Sequence, residues 1–270
     1  MLVNLKDTSR NCAPKVLLNI NDCLLASGTT CSTIDLWDLE TGAVVVRLTG
    51  HTSPITSLKL FKDNILASGS TDNTVKLWNL ETYTLIASFN EPVWVLSLEI
   101  IDEETLACGL NDGSISIYNI RNKTKIKTIK HGSDSVNSLL LLKDGSLASG
   151  DQFYTINIWN TKSWILMRST KNIGALRMTQ YGEDNLYFIG RAYFFHRLNL
   201  KTMEVTTISK ETAYESMRLL CGGLLALGGN SPYELHIWNL TNETFFKASE
   251  SHDKFIYAVE EVKMYPGIIF

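Results

Sequence analysis

Five histidines and five cysteines are the side chains of this 270-residue sequence best suited to bind a metal or attack an electrophile. The histidines are His51, His131, His196, His236 and His252, and none has the close partners that metal-ligand spacing requires. The cysteines, Cys12, Cys23, Cys31, Cys108 and Cys221, are odd in number and include no Cys-x-x-Cys pair. That pattern argues against a zinc site or a disulfide framework, and it predicts reduced thiols. Ser27, Ser68 and Ser149 stand in Ala-Ser-Gly triplets rather than in a Gly-x-Ser-x-Gly elbow. A phosphate loop, an HExxH helix and a Cys/His catalytic context are also missing from the sequence. We therefore expect no catalytic residue, no metal and no cofactor.

The same residues recur with a period, which points to structural roles. Aromatic or apolar anchors followed by Asp or Asn lie at Trp37, Trp78, Tyr118, Trp159, Leu198 and Trp238, at intervals of 41, 40, 41, 39 and 40 by subtraction. Glycines ending short apolar runs keep step, at Gly28, Gly69, Gly109, Gly150, Gly190 and Gly228. Two independent markers holding one period over six copies define a repeat. Each unit reads as four short strands. In the second, ITSLKLF, ILASGS, VKLWNLE and TLIASFN are separated by turn residues. Helical periodicity is not sustained anywhere. One four-stranded unit cannot cover both of its faces, so neighbours must stack, and a radial stack leaves only short edges. His51, His131 and His252 open repeats, which favours structure over ligation. His196 and His236 sit two residues before an anchor, and strand alternation predicts partial exposure for both.

Units with Gly-His, Ala-Ser-Gly and Trp-Asp or Trp-Asn about 40 residues apart resemble WD40 repeats. The stretch beginning at Gly50, GHTSPITSLKLFKDNILASGSTDNTVKLWNLE, is a near-consensus copy. The resemblance covers nearly the whole chain and implies an all-β, WD40-type β-propeller. Six complete four-stranded blades are expected in a single domain spanning 1–270, with repeats near 14–51, 52–91, 92–131, 132–171, 172–210 and 211–252. An incomplete seventh follows at 253–270, where MLVNLKD at the N-terminus would supply an outer strand, and we read the chain as a truncated seven-bladed propeller. The resemblance also implies a structural tetrad, complete in the second unit as His51, Ser68, Asp72 and Trp78. Elsewhere the tetrad is depleted. Cys31 stands at the Asp position of the first unit. Cys108 and Tyr118 substitute in the third, and Phe153 takes the Asp position of the fourth. Ile189 and Leu198 leave the fifth without a tetrad, and Leu227 takes the Ser position of the sixth.

What the resemblance implies for function is a non-enzymatic scaffold that binds a protein or peptide through one propeller face. Carrying over the positions that flank the first-strand apolar residue gives Trp94, Arg177, Glu215, Phe255 and Tyr257 as partner-binding candidates, with Arg191 in a neighbouring loop. Aromatic and Arg side chains dominate interface energetics, although Trp94 and Phe255 could instead fill the seam between blades. A substrate receptor of a ubiquitin ligase is the alternative. Arg177 and Arg191 would then read an acidic or phosphorylated segment. The chain carries 25 basic and 28 acidic residues, a net charge of -3. No basic surplus points to nucleic acid, and no polybasic run points to an anionic membrane. The start lacks the features of a signal peptide, and no apolar run is long enough to span a bilayer. A cytoplasmic location, with the nucleus as a second possibility, fits these features.

Overall fold

The computed structural model describes residues 12–153, 155–210, 212–231 and 234–247. These form six four-stranded antiparallel sheets in chain order. Blade one holds β1 (Pro14–Asn21), β2 (Leu24–Thr29), β3 (Ile34–Asp38) and β4 (Val44–Leu48). Blade two holds β5 (Ile55–Leu60), β6 (Ile65–Ser70), β7 (Thr74–Asn79) and β8 (Thr84–Asn90). Blade three comprises β9 (Val95–Ile100), β10 (Thr105–Leu110), β11 (Ser114–Asn119) and β12 (Thr124–Lys130). Blade four comprises β13 (Val136–Leu141), β14 (Leu147–Asp151), β15 (Ile156–Trp159) and β16 (Leu166–Ser169). Blade five is built from β17 (Arg177–Tyr181), β18 (Asn185–Ile189), β19 (Phe195–Asn199) and β20 (Val205–Ser209). Blade six is built from β21 (Ala213–Leu219), β22 (Leu224–Ser231), β23 (Leu235–Asn239) and β24 (Thr244–Lys247). The expected partial repeat at 253–270, the N-terminal MLVNLKD and His252 all lie outside the described residues.

The first strand of every blade lines one channel of about 230 Å³, so the six sheets surround a common axis and each fourth strand lies on the outer rim. Apolar cores fill the seams between neighbours rather than the blades themselves. Ala26, Ile34, Leu36 and Leu48 of blade one meet Ile55, Leu58, Leu66 and Trp78 of blade two. Similar clusters join blades two to three, three to four, four to five and five to six.

This stacking explains the repeated glycine. A Cβ on Gly28 would lie 2.6 Å from Ile55 Cγ2, one on Gly69 2.7 Å from Val95 Cγ1, and one on Gly109 2.7 Å from Val136 Cγ1. At Gly150 the added atom would meet the Ala175 carbonyl at 2.6 Å. Each second strand therefore receives the first strand of the next blade at a point where no side chain fits. The same contact corrects the sequence alignment of blade five. Ala175 takes the place of Ile55 and Val95, so Arg177 lies one residue beyond the flanking position expected for it.

The expectation of reduced, unpaired thiols fails at Cys12 and Cys31, which form a disulfide with Cα atoms 5.5 Å apart. Spacing along the chain could not reveal this pair, because 19 residues separate the two cysteines. The antiparallel β1–β2 ladder folds that interval back on itself and pairs Pro14 with Thr29. The loop after β2 thereby lies beside the residues that enter β1.

Candidate functional site

The tetrad of blade two closes into one chain of hydrogen bonds. Trp78 Nε1 donates to Ser68 Oγ at 2.9 Å, and Ser68 Oγ lies 2.7 Å from His51 Nε2. His51 Nδ1 is 2.7 Å from Asp72 Oδ2. The Thr52 amide also donates to Oδ2, while the Thr74 hydroxyl donates to Oδ1. A single proton arrangement satisfies the series, with Ser68 donating to Nε2 and His51 donating to the carboxylate. Burial lowers the His51 pKa, although Asp72 opposes this. Burial alone would raise the Asp72 pKa, but bonds from Thr74, Thr52 and His51 outweigh it and lower the value.

Asp, His and Ser connected in this order have the connectivity of a nucleophilic triad. Here the serine is sealed in the fold. Ser68 is 0% exposed, and the Trp78 indole already occupies its oxygen. No substrate carbonyl can reach that hydroxyl, so the arrangement ties strands together and does not attack. Among the described residues, no group of three His, Cys, Asp or Glu is placed to hold a metal.

The other blades solve the same problem with different groups. In blade four, Trp159 Nε1 donates to Ser149 Oγ at 2.7 Å, and Ser149 Oγ is 2.7 Å from His131 Nδ1. The acidic member is Asp151, 3.2 Å from His131 Nε2, and not the Phe153 position assigned from the alignment. Phe153 is instead 40% exposed. The alignment failed because Asp151 reaches the histidine from two residues earlier, at the end of β14.

Blade three uses a residue that sequence reading missed. Glu91, with a fully buried side chain, occupies the site filled by His131 in the next blade, and both donate their backbone N–H to the same loop position, Asn73 O and Gly113 O. Tyr118 Oη donates to Glu91 Oε1 at 2.5 Å, and Lys125 Nζ reaches Oε2 at 2.8 Å. Burial, followed by the Glu91 contact, raises the Tyr118 pKa. Burial also holds the Cys108 thiol well above its usual range. The available signal was joint variation: the missing His, the Ser-to-Cys change and the Trp-to-Tyr change all fall in one unit. In blade one Trp37 Nε1 donates to Ser27 Oγ at 2.8 Å, and Cys31 at the Asp position bonds covalently to Cys12.

Blades five and six overturn the exposure expected for two histidines. His196 is 5% and His236 4% exposed, because both turn into seams between blades rather than outward. His196 stacks on Phe188 with ring centroids 5.1 Å apart, and Nδ1 is 3.1 Å from Thr207 Oγ1. Its buried Nε2 has no partner among the described residues. Burial, with a smaller contribution from Lys210, lowers its pKa to about 4. His236 lies between Tyr214 Oη, 2.9 Å away, and Glu234 Oε2, 3.1 Å away. With Leu227 at the Ser position, the buried Trp238 Nε1 lacks a partner among the described residues.

The partner-binding candidates converge only in part. Thr56 Oγ1 donates to Val95 O and Ser97 Oγ to Val136 O, so the starts of adjacent first strands lie at the same end of the channel. Trp94 immediately precedes β9 at that end and is 51% exposed. Arg177 begins β17 and lines the channel, where it is open to water yet enclosed by protein. That enclosure lowers its pKa, and nearby Glu215 opposes the shift. Counted from Ala175, Arg177 takes the place that Ser57, Ser97, Ser138 and Ser216 hold in the channel wall of blades two, three, four and six. Arg191 lies in the turn between β18 and β19. Phe255 and Tyr257 fall outside the described residues.

The model for the WD domain, G-beta repeat, matches residues 42–79, which span the end of blade one and most of blade two. The match and the propeller fold agree on the WD40 repeat family. The matched stretch ends in the third strand of blade two, and the other blades share its four-stranded form. No curated protein matches the chain. Among solved structures, a chain of "Crystal Structure of Mitotic Checkpoint Complex" aligns with a TM-score of 0.78 at 19% identity, covering 91% of this chain and 80% of that one. "Structure of U3-55K" aligns with a TM-score of 0.80 at 15% identity, covering 94% and 86%. At such identities these likenesses establish the fold alone.

Proposed function

We propose that this WD40 propeller is a non-enzymatic scaffold that binds a short segment of a partner protein across the channel end where the first strands begin. The exposure of Trp94 carries the reading. A tryptophan half open to water at a channel mouth gains much by being covered, and such side chains dominate interfaces. Arg177 in the channel provides a charged contact for a segment crossing the mouth. The rigid ladders beneath hold both residues in place without a partner, which limits the entropy lost on binding.

Affinity purification with the wild type and with Trp94→Ala/Arg177→Ala tests the idea. We expect the variant to lose partners that the wild type recovers, while its thermal unfolding is unchanged. Equal recovery by both would remove this face from consideration. A substrate-receptor role in a ubiquitin ligase is the narrower form of the reading. Co-purification of a cullin with the wild type would distinguish it.

A further inference from the structure

The fold gathers positive charge that the whole-chain total conceals. Segments 121–130 and 160–171 contain eight Lys or Arg residues and no Asp or Glu, leaving 17 basic against 28 acidic residues elsewhere. The first segment contains β12 and the second contains β16, the outer strands of adjacent blades. Lys127 Nζ reaches Ser163 O at 3.5 Å, and Trp164 packs into the core shared by blades three and four, so the two segments form one surface. Arg121, Lys125 and Lys130 are paired with Glu104, Glu91 and Asp112. Lys123, Lys127, Lys162, Arg168 and Lys171 have no carboxylate partner among the described residues. Three of them reach only neutral backbone oxygens, Lys123 to Ile86, Lys127 to Ser163 and Arg168 to Leu200.

Apolar side chains project through this charge. Ile126 is 52% exposed, Ile165 65%, Leu166 45% and Met167 48%. All four residues of β16 are exposed, although successive strand residues point to opposite faces. The strand edge therefore protrudes from the rim. A protruding edge has no cleft in which to grip a partner's side chains, but it can enter a deformable interface. Apolar residues flanked by uncompensated cations match a bilayer surface, with acyl chains beneath anionic headgroups.

We propose that the rim formed by β12 and β16 docks peripherally on an anionic lipid surface. Sedimentation with phosphatidylcholine vesicles, with and without phosphatidylserine, tests it. The protein is expected to sediment only with the phosphatidylserine vesicles, and high salt should release it. Each cation contributes about a fivefold factor, so Lys123→Glu/Lys127→Glu/Arg168→Glu should weaken binding by roughly a hundredfold or more. Ile165→Ser/Met167→Ser should weaken binding at low salt, with the cations left in place. These residues are exposed, so unchanged thermal unfolding is expected and separates lost docking from lost fold. Absence of sedimentation, or equal sedimentation of the charge-reversed variant, overturns the proposal. Retention on immobilised polyglutamate without vesicle binding overturns it too, and would assign the rim to an acidic protein.

Discussion

In blades one to four, the segment entering each blade is tied to the second strand, the third strand or the loop between them. Blade two uses the His51–Asp72 hydrogen bond, blade four His131–Asp151, blade three Glu91–Tyr118 and blade one the Cys12–Cys31 bond. Among the described residues, blade five has no such side-chain tie. It packs Phe188 flat against His196 and leaves one ring nitrogen unpartnered among the described residues. The shared scaffold thus does not require one set of side chains. It requires that polar groups brought into a seam be satisfied together or replaced together. Where Ser gives way to Leu227 but the tryptophan remains, Trp238 Nε1 has no partner among the described residues.

Breaking the ties should separate the blades most clearly in blade three. Glu91→Ala leaves the buried Tyr118 hydroxyl without its acceptor and Lys125 without its counter-charge. Lys125 is 37% exposed and can turn to water, so the loss comes mainly from the buried hydroxyl and the vacated space; we expect about 3 kcal/mol, measured by urea unfolding. Glu91→Gln retains an acceptor for Tyr118 and should cost less. A loss below about 1 kcal/mol for the alanine variant would show that this network does not hold the blade.

Blade one comes next. Its disulfide closes a short loop, and chain entropy assigns such a bond about 3 kcal/mol. Cys12→Ser should lower the unfolding midpoint, and wild type in dithiothreitol should then match the variant. Coinciding midpoints with and without reductant in the wild type would mean the two thiols are not joined in solution. In blade two the expected effect is smaller. Ser68→Ala removes the acceptor of Trp78 and the hydroxyl facing His51, for about 2 kcal/mol. Ser27→Ala removes the Trp37 acceptor and a long 3.5 Å bond to Asp35 O, with no histidine in the network, and should cost about 1 kcal/mol. A reversed order would dissolve the distinction between a full network and a remnant.

The repeat was legible in the sequence because it rests on positions with a single physical solution. Gly28, Gly69 and Gly109 have no room for a side chain, and the anchors fill the seams. The blade-two tetrad was legible because all four of its members stand at the positions that the family resemblance names. Substitutions that act together across distant positions were not. Glu91 is unremarkable as a sequence position and becomes meaningful only once Tyr118 and Lys125 stand beside it. Asp151 lies two residues from its expected place, and Cys12 meets Cys31 only through the turn of β1 onto β2. The charged rim was hidden for a related reason, since 121–130 and 160–171 are neighbours only in space. Strand alternation also misjudged His196 and His236, because in a propeller both faces of an inner or middle strand are covered by neighbouring blades.

The smallest effect at neutral pH should come from blade five, and it tests the comparison from the opposite side. His196→Phe removes a buried polar atom that has no partner among the described residues and preserves the stack on Phe188, so stability at pH 7 should be unchanged or rise by up to about 1 kcal/mol. Acid should reveal the difference. His196 has an ordinary pKa of 6.5 when unfolded and about 4 in the fold, a shift caused first by burial and then by Lys210. As pH falls below 6.5, the unfolded chain takes up this proton while the folded chain does not. Stability is therefore lost progressively from pH 6.5 down to about 4, by a total of roughly 3 kcal/mol, and no further below that. The phenylalanine variant should lack this component. Unfolding curves taken between those limits should show it gaining on the wild type as pH falls. Parallel pH profiles would place the imidazole in contact with water, and blade five would then need a polar tie of its own after all.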